Sequence, residues 1–452
     1  MRSSRKISAA AVLAIVVATV GACAPGGTTK PKKVATKPPA QITTNAQTAG
    51  KVTLTVWDQE VRGGQNAEIT ALNKQFMAKN PNVTIKRTPR SFSDLKTTLK
   101  LAISSGNPPD VVEANQGYPD MVAFVKAGLL QPLDSYSKVY KWADRYPATL
   151  LNLNRVSPGA SSFGSGNLYG ISQTGEFIAL YYNKAKLSSL GLKQPTSWAQ
   201  FTSELATIKA KGQTPIEFGN QDKYPAIHTF GVIQSRTAGP TTVRDLVFGT
   251  GSQSYDDPQT VQAATTLQEW AKKGYLTPGA NGLAYDDAAK KFASGTGVFL
   301  MTGTWELADL AKLGKDLGVM LPPPERAGGK AVTTGGEGLA WSITAKSKHT
   351  DVAAAYLDFI TNPNAANVMT RTGNLPAMAS TAAASLPAGS AEAQVFAAWK
   401  QLSTDDGLVP YLDYSTPTFY DTITAALQNL IGGRTTPSSF GKTLQSDYGK
   451  FH

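Results

Sequence analysis

Residues 52–113 read VTLTVWDQEVRGGQNAEITALNKQFMAKNPNVTIKRTPRSFSDLKTTLKLAISSGNPPDVVE. Val52-Thr53-Leu54-Thr55-Val56 alternates apolar and polar residues with period two, a strand signal. Ile69, Leu72 and Phe76 then recur at helical spacing until Asn80-Pro81 stops the helix. A short strand follows at Val83 to Ile85, a second helical segment around Leu95 to Ile103, the breaker Gly106-Asn107-Pro108-Pro109, and another strand at Asp110 to Glu113. This β-α-β-α-β order predicts an α/β fold, a parallel sheet with helices on both faces that meets ligands at the carboxyl ends of its strands. The loops after Val56 and after Val112 are therefore candidate site loops.

Upstream, Arg2, Arg5 and Lys6 precede an apolar run from Ile7 to Ala22 that ends in small residues, the layout of an export signal. The run is too short to span a bilayer comfortably. It closes on Val20-Gly21-Ala22-Cys23, and Cys23 is the only cysteine, so neither a disulfide framework nor a thiolate metal cluster can form. This motif resembles the lipobox of bacterial lipoproteins, in which the cysteine is acylated and becomes the mature N-terminus. The resemblance implies a lipoprotein signal peptide at 1–22, lipidation at Cys23, and an exported chain on the outer face of the cytoplasmic membrane. Residues 24–50, rich in Pro, Thr, Gly and Lys, read as a flexible linker with an r.m.s. span of about 30 Å. Seven of the 44 Lys and Arg and none of the 32 acids fall in residues 1–50, so the formal charge of +12 drops to +5 beyond them. That small, dispersed excess argues against nucleic acid as a partner.

About 400 residues remain, enough for two ordinary domains. Helical patterns recur at Val261 to Lys273, His349 to Thr361 and Thr418 to Ile431. Strand-like runs at Val298 to Met301 and Leu339 to Ile343 lie among them, so the chain is expected to return to an earlier sheet, giving interwoven lobes. Catalytic signatures are absent: there is no G-x-S-x-G, no H-E-x-x-H and no phosphate-binding G-x-x-x-x-G-K-[ST]. His228, His349 and His452 are far apart in sequence and read as structural. No enzyme, cofactor or metal is expected.

Blocks spread over residues 51–445 resemble the extracellular solute-binding proteins of ABC importers, in the sugar-binding branch that includes maltose-binding protein. They are VTLTVWDQE (52–60), SGNPPDVVEAN (105–115), LYGISQTGEFIALYYNKAKL (168–187), PTSWAQF (195–201), FASGTGVFLMTGTWEL (292–307), TTGGEGLAWSITAKSKHTDVAAAYLDFIT (333–361) and FYDTITAALQNLIGGRTTP (419–437). The resemblance implies the two-lobe, type II periplasmic-binding-protein-like fold with a central ligand cleft. Crossings between lobes are then expected near Glu176 to Ala179, Phe299 to Gly303 and Ile343 to Ala345. Lobe 1 becomes 51–178 plus 301–343, and lobe 2 becomes 179–300 plus 344–452. It further implies a monomeric receptor that captures a carbohydrate, expected to be a short oligosaccharide, and delivers it to permease subunits. The rivals are the same fold with a non-sugar solute and a secreted glycan hydrolase.

A pyranose has an apolar face for aromatic rings and a hydroxyl rim for carboxylates and amides. By similarity, Glu176 takes the place of a cleft glutamate, Trp305 that of a stacking tryptophan, and Tyr420 that of a second cleft aromatic. Tyr414 lies on the approach to the same helix. Asp58, Glu60, Asn115 and Gln116 follow lobe 1 strands. Gly336 and Glu337 are candidates at the cleft mouth, and Asp222 in a lobe 2 turn. Trp198 and Trp270 read as core, and Trp57 at a strand end points either way.

Overall fold

A computed structural model describes residues 34–452; the signal-peptide and lipidation readings at 1–22 and Cys23 lie outside the described residues. The strand Val52–Asp58 pairs in parallel with Val83–Pro89 along its whole length, from Val52 opposite Val83 to Asp58 opposite Pro89. On its other side it pairs in parallel with Val111–Ala114. Helix Gly63–Lys79 buries Ile69, Leu72 and Phe76. Helix Phe92–Ser104 starts at Ser91, whose hydroxyl accepts the Asp94 amide at 3.1 Å, and buries Leu95, Leu99 and Ile103. The expected β-α-β-α-β unit thus forms the first sheet, completed by two antiparallel additions, Ala340–Ile343 and Ile171–Ser172.

The second sheet is organised by Gly175–Asn183, all nine residues of which are buried. A strand covered on both faces takes partners along both edges. Phe299–Gly303 lies antiparallel along one edge, while Leu317–Met320 and Thr333–Glu337 lie antiparallel along the other. Ile216–Glu217 pairs with the first of these and Leu408–Val409 with the last.

This pairing corrects the expected lobe boundaries. Residues 299–303, 317–320 and 333–337 belong to the second sheet, because the long buried strand recruits all three. Only 340–343 returns to the first. Helices Thr350–Ile360 and Pro363–Arg371 stay with lobe 1, where Phe76 meets Tyr356 edge-on at 5.4 Å and the Tyr356 hydroxyl donates to Asn73 at 2.8 Å. Helix Ala391–Asp405 then packs on lobe 2 through Trp399, stacked over Phe177. The chain therefore crosses at residues 173–175, 337–340 and 372–390. The first crossing is close to its expected place, whereas the second and third are about forty residues and thirty residues further along the chain.

Residues 34–50 correct the linker reading over their length. Asp351 accepts the Lys37 ammonium at 2.6 Å and the Thr43 amide at 2.9 Å. Gln131 donates to the Ala35 carbonyl, and Asn82 to those of Ala46 and Gly50. Ala46 is buried and Ile42 packs on the lobe 1 core. Polar side chains of lobe 1 supply the backbone partners that composition alone does not reveal, and the segment lies on that lobe as a strap. No helix among the described residues is long and apolar enough to cross a membrane.

Candidate functional site

The lobes meet around a cleft lined by residues of both, the kind of concave, two-walled place where small-molecule sites form. Lobe 1 contributes from the carboxyl ends of its parallel strands: Gln59, Arg62 and Gln65 after the first, Phe92 after the second and Asn115 after the third. Lobe 2 contributes Glu176 at the start of its buried strand, Tyr224 and His228 at the opening of helix Pro225–Thr237, and Trp305 beyond strand Phe299–Gly303. Tyr411, Asp413, Tyr414 and Tyr420 complete that wall.

Trp305 is fixed by its own polar edge. Its indole N–H donates to the Tyr285 hydroxyl at 2.6 Å, and that hydroxyl is hydrogen-bonded to Thr302. Glu176 accepts from the Tyr411 hydroxyl at 2.8 Å, and burial pushes its carboxyl up to about 7 against that hydrogen bond. Burial likewise lifts Asp413 to about 6, with Lys96 opposing the shift.

The two walls touch. Phe92 of lobe 1 meets Tyr224 of lobe 2 edge-on at 5.1 Å, and the Lys96 ammonium lies 4.1 Å from the centre of the Tyr420 ring. Arg62 reaches across to Glu306 at 2.6 Å and Asp286 at 2.9 Å. Burial opposes the Arg62 charge, but the Glu306 carboxylate leads the interactions that hold it protonated.

Five of the expected residues line this space: Asn115, Glu176, Trp305, Tyr414 and Tyr420. Six do not. Asp58 is fully buried and takes both arms of the Arg87 guanidinium at 2.7 Å. Glu60 is buried in the same cluster, where burial and then the neighbouring Asp58 carboxylate raise it to about 7, with Glu113 and the Arg62 and Arg87 guanidiniums opposing. Gln116 donates to the Gly338 carbonyl at 2.8 Å and accepts from Tyr414 at 3.2 Å, so it sets Tyr414 from behind. Asp222 accepts the Tyr285 amide at the start of helix Tyr285–Ala293. Gly336 sits in strand register opposite Glu176, and Glu337 accepts from Asn154 at 2.5 Å beneath the second crossing. A strand-end position tells that a residue is near the cleft but not which way its side chain turns.

Reasoning from sequence missed Arg62, Phe92, Tyr224, His228, Tyr411 and Asp413. Arg62 lies in the flagged loop after Val56, and Tyr224 and His228 lie just beyond the turn that carries Asp222. His228 is therefore corrected from a structural residue to one that lines the cleft. Trp270 is in the core with Trp198 packed on it, as expected. Trp57 is covered by the Arg90 guanidinium at 4.1 Å. Among the described residues no group of three or more His, Cys, Asp or Glu side chains is placed to hold a metal ion.

Two interwoven α/β lobes around a cleft walled by both define the type II solute-binding fold. The profile of the bacterial extracellular solute-binding proteins matches residues 63–367, and the chain belongs to that family. It is 26% identical over 320 residues to the multiple sugar-binding protein of Streptococcus mutans, covering 70% of this chain and 72% of that one. Its fold superposes on a chitin oligosaccharide binding protein with a TM-score of 0.77 at 22% identity, over 88% of this chain and 98% of that one. The raffinose complex of the solute-binding protein RafE matches with a TM-score of 0.71 at 20% identity, covering 89% and 100%. The apo form of RafE from Streptococcus pneumoniae matches at 0.61 and 21% identity, covering 89% and 98%.

Proposed function

We propose that this chain is the sugar receptor of an ABC importer, held on the outer face of the cytoplasmic membrane by acylated Cys23, and that it passes a short oligosaccharide to permease subunits as a monomer. The observation that carries the sugar reading is Trp305, an indole locked by Tyr285 and standing in a cleft with Glu176 and the tyrosines of lobe 2. An aromatic face beside carboxylate and amide groups suits a ring with C–H faces and a hydroxyl rim. The names of the relatives, sugar-binding and oligosaccharide-binding proteins, support the same ligand class. Contacts made by both walls exist together only when the lobes are closed, so ligand shifts the population towards closure.

Calorimetry against chitin, xylan and raffinose-type oligosaccharides tests the ligand class. Saturable binding without any product supports a receptor. Turnover of glycosides would favour a hydrolase, and binding confined to polyamines, phosphate esters or peptides would favour a different solute. Anchoring is tested separately: Cys23→Ala is expected to release the protein into the medium, and a variant that stays on membranes through salt washing would end that part of the reading.

A further inference from the structure

His228 stands near the start of helix Pro225–Thr237 and is 8% exposed. Three aromatic rings clamp it: Tyr411 at 5.3 Å, Trp305 at 5.4 Å and Tyr224 at 5.5 Å between centroids. Among the described residues neither ring nitrogen has a hydrogen-bond partner, and Nδ1 is completely buried. A buried polar group left unpaired in a cleft is a group that awaits a partner. Burial and then the Arg62 guanidinium push the imidazole down to about 3, so it is uncharged at neutral pH. The other titratable groups around it are Tyr224 and Tyr411, the latter engaged with Glu176. From lobe 1, Gln65 lines the same cleft, and its Oε1 is likewise buried without a partner.

We propose that His228 is a specificity-determining ligand contact, exchanging a hydrogen bond with a hydroxyl of an uncharged sugar at the Trp305 end of the cleft, while Gln65 Oε1 accepts from a second hydroxyl. The inference rests on the sugar reading above and narrows it to neutral saccharides. A neutral imidazole offers one donor and one acceptor, and a hydroxyl satisfies either. A carboxylate or phosphate only accepts and leaves Gln65 Oε1 unpaired. An acid group set against Gln65 is therefore disfavoured relative to a hydroxyl by hydrogen-bond mismatch.

The test compares wild type, His228→Phe and His228→Asn by calorimetry with raffinose, stachyose and chitin and xylan oligosaccharides. It adds imidazole ¹⁵N spectra of the wild type, in which only three histidines contribute. The neutral sugar bound by wild type is expected to lose at least tenfold in affinity with His228→Phe and to regain part of it with His228→Asn. One imidazole pair is expected to keep neutral-ring shifts from pH 5 to 8 and to move on saturation with sugar. Equal affinity of His228→Phe and wild type, or imidazole signals unmoved at saturation, overturns this proposal and leaves the sugar reading standing. A wild type that binds none of the panel overturns both. The spectra decide the matter on wild type alone should either variant fail to fold.

Discussion

Trp305 owes its orientation to its neighbours: its indole N–H is spent on Tyr285, its ring meets His228 at 5.4 Å, and its remaining surface lines the cleft. Trp305→Ala is expected to weaken sugar binding roughly fivefold or more, the loss of about 1 kcal/mol of stacking, with the thermal midpoint nearly unchanged. Calorimetry beside a melting curve reads both. Other residues leave their mark on stability. Glu60 and Glu176 are lifted by burial from an ordinary 4.5 to about 7. Below pH 4.5 folded and unfolded chains both hold these protons. Between there and pH 7 the unfolded chain gives them up first, so stability falls as pH rises across that window. Melting temperatures at pH 5, 6, 7 and 8 are expected to decline, and Glu60→Gln is expected to flatten the slope.

At the scale of elements, the strap at 34–50 and the buried strand Gly175–Asn183 mark what a sequence discloses. Periodicity exposes elements that bury one face, which is why 52–58, 63–79, 92–104 and the helices at 350–360 and 419–431 were legible. Gly175–Asn183 is buried on both faces, so it carries no alternation from which to read its neighbours, and residues 299–303 are its partner strand and not the crossing expected there. The strap is polar and Pro-rich, a composition shared with true linkers. What holds it is Asp351, Asn82 and Gln131 supplied from afar. In the site, Asn115 was legible from its strand end and Glu176 from the family resemblance. Glu60 and Asp58 turned inward to Arg87 and Glu113, a choice made by tertiary charge pairing. Asp351→Ala removes the partner of Lys37, Thr43 and Tyr136. It is expected to destabilise the protein by about 1–2 kcal/mol and to expose residues 34–50 to limited proteolysis, followed by mass spectrometry of the fragments.

Across the whole molecule, Arg62 is a charged group that joins the lobes, through Glu306 and Asp286. With the lobes together, Arg62→Ala leaves without its partner a Glu306 carboxyl that burial already lifts to about 7, so the closed form must protonate that group or hold an unpaired buried charge. Opening the lobes hydrates it again. Small-angle scattering of the sugar-free variant is therefore expected to give a larger radius of gyration than wild type, and identical curves would show that the pair does not hold the lobes. The strap has a mechanical corollary. Under the proposed anchoring, ten residues, 24–33, separate the lipidated end from Val34, and at full stretch they reach no more than about 35 Å. Because that leash is moored on lobe 1, the anchoring would tie the membrane to lobe 1 directly and to lobe 2 only through the crossings.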